Sequence, residues 1–145
     1  MPFPDPVPGL VIRYNYLWSD EKNAGKDEGA KDRPCAIVAA VLVDAGKLKQ
    51  IVVLPVTHRQ PAPATYAVEL PARVKRQLKL DSERSWIVVD EWNDFVWPGP
   101  DLRRVPGAAK SAIAYGMLPP GLLIEVQRVF RAALTARRAR RVSRG

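Results

Sequence analysis

Arg33 stands immediately before Pro34 and the uncharged run Cys35 to Val43, and Thr57-His58-Arg59 closes a second apolar run that ends at Val56. A guanidinium can bind a phosphate through two parallel hydrogen bonds. A hydroxyl and an imidazole beside it add a donor and a group that titrates near neutrality. Together they suit cleavage of a phosphodiester by RNA's own 2′-hydroxyl, where the pentacoordinate phosphorane needs charge stabilisation and proton transfer. In that chemistry Arg33 neutralises the developing charge, Thr57 hydrogen-bonds a non-bridging oxygen, and His58 is the natural general acid or base. Two plainer readings stand beside it. Arg33 at a strand rim pairs with Asp32, as surface arginines commonly do, and His58 is a surface residue at a strand end.

The elements that would bring these groups together are legible in the pattern. Proline has no N–H and is tolerated at the first residue of a strand, so a strand opens at about Pro34. Its uncharged, β-branched run suits burial on both faces. Asp44 to Lys47 is a turn, and Lys49 to Val56 is a second apolar strand, so the pair forms a hairpin with Arg33 and Thr57 at one edge. Upstream, Leu10 to Trp18 alternates with period two and reads as a strand. Ser19 to Arg33 is a polar, glycine-containing tract with no apolar periodicity, expected to be a mobile loop.

Tyr66 to Leu70 is a short strand, and Pro71 to Leu80 is one or two helical turns or an irregular basic segment. Ser85 to Asp90 is a further strand that continues through a polar turn to Trp97. Pro119-Pro120 opens an amphipathic helix with Leu122, Leu123, Val126, Val129, Phe130, Ala133 and Leu134 at helical spacing. Short antiparallel strands followed by one terminal helix predict a small barrel-like sheet with a helix cap.

A chain of 145 residues is one domain. The single cysteine, Cys35, cannot form an internal disulfide and reads as a buried core residue. One histidine offers little for a metal, and no metal or cofactor is expected. With no membrane span and no signal peptide in evidence, the expected location is the cytoplasm. The net charge of +8 is concentrated in residues 131–145, where six arginines meet no acid, so residues 1–130 carry only +2. That arginine-rich end is either a salt-sensitive grip on RNA phosphates or a frayed, solvated helix end.

Five blocks in order, Gly9-Leu10-Val11-Ile12-Arg13, Glu28-Gly29-Ala30-Lys31-Asp32-Arg33-Pro34, Val53-Leu54-Pro55-Val56-Thr57, Ser85-Trp86-Ile87-Val88-Val89-Asp90 and Gly116-Met117-Leu118-Pro119-Pro120 with its helix, resemble the MazF/PemK toxins of bacterial toxin–antitoxin pairs. The resemblance implies an SH3-like antiparallel barrel (the CcdB/MazF type, α+β) with a C-terminal amphipathic helix. It also implies a homodimer, metal-independent endoribonuclease cleavage of single-stranded RNA, and a cognate antitoxin partner. Arg33 and Thr57 carry over as the catalytic pair, with His58 and Glu28 as auxiliary candidates and Lys31, Arg59 and Trp92 as RNA-binding candidates. The domain would span residues 1–135, with residues 19–32 as a mobile lid and 136–145 as an arginine-rich extension. Asp20, Glu21, Asp27, Glu28 and Asp32 make that lid acidic, offset by Lys22, Lys26 and Lys31.

Other functions stay open at this level. The same barrel could act without catalysis by binding a protein such as a topoisomerase, or the chain could be an RNA-binding module relying on its arginine tail. Trp86, Trp92 and Trp97 are either base-stacking platforms or core and interface residues.

Overall fold

The computed structural model describes residues 3–63, 65–107 and 112–144; Pro2 of the proline-rich lead and Gly145 of the tail lie outside them. The elements run β1 (Leu10–Tyr14), α1 (Ser19–Asn23), β2 (Arg33–Val43), β3 (Leu48–Thr57), β4 (Ala67–Glu69), α2 (Ala72–Gln77), β5 (Trp86–Val88), β6 (Glu91–Val96), β7 (Ala114–Met117), α3 (Pro120–Thr135) and β8 (Arg140–Ser143). The fold is mainly antiparallel β with three helices, no helix among the described residues being long and apolar enough to cross a membrane.

The expected hairpin is the spine of the sheet. β2 and β3 pair antiparallel from Cys35 opposite Pro55 to Val43 opposite Leu48, with a bulge between Ile37 and Ala39. The turn that joins them passes through three consecutive left-handed residues, Asp44, Ala45 and Gly46, at φ +51°, +56° and +83°. β1 lies on the outer side of β2, and β7 beyond β1. On its other side β3 meets two different strands: its first half pairs with β6 and its last two residues with β5. The segment expected as one strand from Ser85 to Trp97 is therefore broken after Val88, because its two parts serve two halves of β3.

Burial on both faces holds only for the first half of the uncharged run, Cys35 to Val38, since Val41 and Leu42 are 54% and 62% exposed where the hairpin extends past the core. Cys35 and Ile37 enter one core with Ile12, Tyr14, Ile51, Val53 and Phe95, while Ala36 and Val38 enter another with Leu54, Ile87, Val74 and the α3 residues Val126 and Ala133. α3 packs its Leu122, Val129 and Phe130 on the second core as its spacing predicts, but Leu134 faces out, 41% exposed.

Four expectations need correction. The polar tract after β1 is not irregular throughout: Ser19–Asn23 is helical, since the Glu21 carboxylate accepts from the Trp18 N–H at 3.0 Å and Asp20 and Glu21 complement the helix dipole. β1 stops at Tyr14 because the Asn93 side chain takes over beyond it, accepting from Leu17 N–H at 2.9 Å and donating to Leu17 C=O at 2.8 Å. The arginine-rich end is neither an extension nor a frayed helix. After α3 the chain turns through Arg137, at φ +56°, and re-enters the sheet as β8, parallel to β6 with Arg140 opposite Glu91. Among the described residues no pairing joins the edge strands β4, β7 and β8, so the sheet is branched and open, with no closed barrel.

Candidate active site at the open end of the hairpin

Pairing brings the two predicted residues together. Arg33 opens β2 opposite Tyr14 of β1, and the register that sets Cys35 against Pro55 brings Arg33 level with Thr57. The Arg33 Nη1 donates to the Val56 carbonyl at 3.4 Å, and its guanidinium carbon lies 5.0 Å from the ring centroid of Trp18. Its Nε is buried and has no hydrogen-bond partner among the described residues. The expected ion pair with Asp32 is not made: Asp32 accepts from Asn15 Nδ2 at 3.1 Å and faces Arg103 at 3.4 Å. Among the described residues no carboxylate neutralises Arg33, which leaves its guanidinium able to take an external anion. Thr57 Oγ1 accepts the Arg59 N–H at 3.1 Å, so its hydroxyl hydrogen can donate elsewhere.

His58 is held from both ends. Nδ1 lies 3.0 Å from Ser85 Oγ and 3.3 Å from the Arg84 carbonyl, and Nε2 lies 2.8 Å from Asp81 Oδ2. Behind it the buried ammonium of Lys75 donates to Asp81 Oδ1 at 2.6 Å, to Ser85 Oγ at 2.6 Å and to the Glu83 carbonyl. Burial pushes the Asp81 carboxyl up, but the Lys75 hydrogen bond and charge, then His58, bring it below the usual range. The ligand atoms of His58, Asp81 and Glu83 lie within 4.8 Å of one another, close enough to hold a cation. The Lys75 ammonium already supplies a positive charge to that cluster.

Arg33, Thr57 and His58 line an open cleft of about 910 Å³ and a narrower arm of about 130 Å³ that reaches Lys75 and Ser85. The wide cleft is walled by Trp18 and the first residues of α1 on one side and by Asp90 and Glu91 on another. Burial raises the Asp90 carboxyl, partly offset by a backbone hydrogen bond and by Arg140. Burial likewise raises Glu91, against hydrogen bonds from the Ser19 N–H, the Ser19 hydroxyl and the Tyr16 hydroxyl.

Of the other predicted residues, Lys31 and Arg59 line this cleft. Glu28 is exposed on the lid and not among the residues lining it. Trp92 also lies elsewhere: its ring meets Phe130 of α3 edge-on at 5.5 Å and its Nε1 donates to Asp94 at 3.2 Å. Trp86 stacks under Arg84, and Trp97 packs near Phe95 and Phe3.

Trp18, Lys75, Asp81 and Ser85 join the site without being among the predicted residues. Trp18 is the last member of the alternating Leu10 to Trp18 series, and its position next to a polar tract was the available signal. Nothing local marks Lys75, which looks like one of several lysines on a short basic helix.

The lid itself is fastened. Gly29 exchanges hydrogen bonds with the Asn15 side chain at 2.8 and 3.1 Å, and Glu21 accepts from Ala30 N–H at 2.9 Å. Arg144, just past β8, donates to the Asn15 carbonyl at 2.6 Å and the Asp27 carbonyl at 3.3 Å and pairs with Asp101 at 3.1 Å.

Comparison with protein-family models, with curated proteins and with solved structures finds no match for this chain.

Proposed function

We propose that this chain is an endoribonuclease that cleaves single-stranded RNA through attack of the substrate's own 2′-hydroxyl, with Arg33 and Thr57 at the scissile phosphate. The observation that carries the reading is an arginine at the rim of an open cleft, level with a threonine, unneutralised by any described carboxylate and backed by an indole. In the reaction the 2′-oxygen loses its proton and bonds to phosphorus, and the bond to the 5′-oxygen breaks as that oxygen gains a proton. Arg33 offsets the charge on the non-bridging oxygens and Thr57 donates to one of them. Asp90 lines the same cleft with its carboxyl raised by burial, which suits a proton acceptor. His58 fits positioning better than proton transfer, because both its ring nitrogens are engaged.

On this reading the open sheet is a variant of the SH3-like barrel of MazF/PemK toxins, acting as a homodimer in the cytoplasm and restrained by an antitoxin protein. The test is Arg33→Ala: cleavage of single-stranded RNA should vanish while circular dichroism shows an intact fold. Retained cleavage would overturn the assignment. Expression in bacteria should arrest growth with fragmented messenger RNA; arrest with intact RNA would favour action by protein binding.

A further inference from the structure

Arg137, Arg138 and Arg140 are exposed, and among the described residues none of them forms an ion pair. They are brought to one place by the return of the chain after α3: Arg137 takes a left-handed turn, Arg138 N–H donates to the Ala133 carbonyl at 2.8 Å, and Arg140 N–H donates to the Asp90 carbonyl at 2.9 Å. Together with Tyr66 they line a polar cleft of about 310 Å³. This cleft shares Ser19, Asp90 and Glu91 with the Arg33 cleft, so the two adjoin on either side of one wall.

We propose that Arg137, Arg138 and Arg140 form a second phosphate-binding site, holding the RNA backbone that flanks the bond cleaved beside Arg33. The proposal rests on the nuclease reading for the direction of the strand, but the binding it describes can be measured without cleavage. Three guanidiniums on a short exposed turn match the spacing freedom of a single-stranded backbone better than a compact ligand. Asp90 and Glu91 form the wall between the clefts, where Glu91 accepts from the Tyr16 and Ser19 hydroxyls and the charge of Arg140 favours the ionised Asp90 against burial. Three guanidiniums face two carboxylates, so the wall offsets part of their charge and leaves the arginines in excess. A strand following this path would pass from Arg33 over Ser19 to the arginines, with Tyr66 beside it as a ring on which a base can stack.

The experiment measures fluorescence anisotropy of a random-sequence, 2′-O-methylated single strand of about twelve nucleotides, a length within the span of such clefts. Without a free 2′-hydroxyl it cannot be cleaved. The wild-type chain is compared with the triple variants Arg137→Gln/Arg138→Gln/Arg140→Gln and Arg137→Lys/Arg138→Lys/Arg140→Lys from about 50 to 200 mM salt. The glutamine variant should lose about 2 from the slope of log affinity against log salt, from about 0.7 per phosphate contact on a single strand. The lysine variant should keep the slope, and circular dichroism should show both folded.

An unchanged slope in the glutamine variant overturns the site. Arginine-dependent binding of a polyglutamate peptide without binding of the RNA overturns it in favour of an acidic protein partner. Cleavage of unmodified RNA by the wild type is read separately: cleavage with an unchanged slope removes this site alone, whereas an arginine-dependent slope without cleavage supports this site and removes the nuclease reading.

Discussion

The guanidinium of Arg33 lies over the indole of Trp18, 5.0 Å from its centroid, although the two belong to opposite ends of the lid. The indole gives the arginine an electrostatic seat that does not consume its hydrogen-bond donors, as a carboxylate would.

Trp18→Leu should therefore weaken the site without unfolding the chain. A cation–π contact at a partly exposed site is worth about 0.5–1 kcal/mol, so kcat/KM should fall by about two- to fivefold. Steady-state cleavage with thermal melting in parallel checks this; an unchanged kcat/KM would separate the indole from the site.

Arg33→Lys keeps the charge and removes the planar fork. If Arg33 grips two phosphate oxygens, the lysine variant should still lose at least about 100-fold in kcat, the scale of a lost oxyanion donor. Activity within a few-fold of wild type would mean that charge alone suffices.

His58→Gln distinguishes positioning from proton transfer. A general acid or base contributes about 10²–10⁴-fold, whereas a residue that holds Asp81 and Ser85 in place should cost less than about tenfold in kcat and show a lowered melting temperature. A larger loss of kcat with unchanged stability would restore His58 to the chemistry.

Gly29→Ala tests whether the lid is fitted as closely as its hydrogen bonds indicate. A Cβ on Gly29 would come 2.0 Å from the Tyr16 carbonyl oxygen, a contact that only backbone movement relieves. Overpacking of this kind costs about 1–3 kcal/mol. The variant should melt earlier and be cut by protease within residues 19–32 faster than wild type.

Asp94 gives the pH dependence. Burial pushes its carboxyl up, but the two hydrogen bonds and charge of Arg141, with Gln50 and Trp92, bring it below the usual range. A carboxylate lowered on folding adds stability above its unfolded pKa, and that contribution disappears as pH falls through the folded-state value. Asp94→Asn should flatten the loss of melting temperature between neutral pH and about pH 2. An acid limb as steep as wild type would place the dependence elsewhere.

The hairpin and its consequence were readable because both signals are local. Pro34 marks where β2 begins and the uncharged run marks its buried first half, Cys35 to Val38, so the meeting of Arg33 and Thr57 follows from a short turn. β8 was not readable, since Arg140 to Ser143 has one apolar residue, Val142, and owes its strand conformation to β6. Long-range pairing also decides the break between β5 and β6 and the partners of Asp32 and Trp92. A basic run viewed in isolation looks solvated; here Arg141 and Arg144 are tied to Asp94 and Asp101 across the fold.

The grip of Arg144 on Asn15 spans 129 positions of sequence. During synthesis the ribosome releases the hairpin and the lid well before Arg144, which ties the lid at Asp27 to the end of β1 at Asn15. A nascent chain halted after β6 would carry the cleft's rim residues with the lid held by its bonds to Asn15 and Glu21 but not by Arg144. The last fastening of the lid is thereby deferred to a late stage of translation, a kinetic delay set by the separation of Arg144 from Asn15 and Asp27 along the chain.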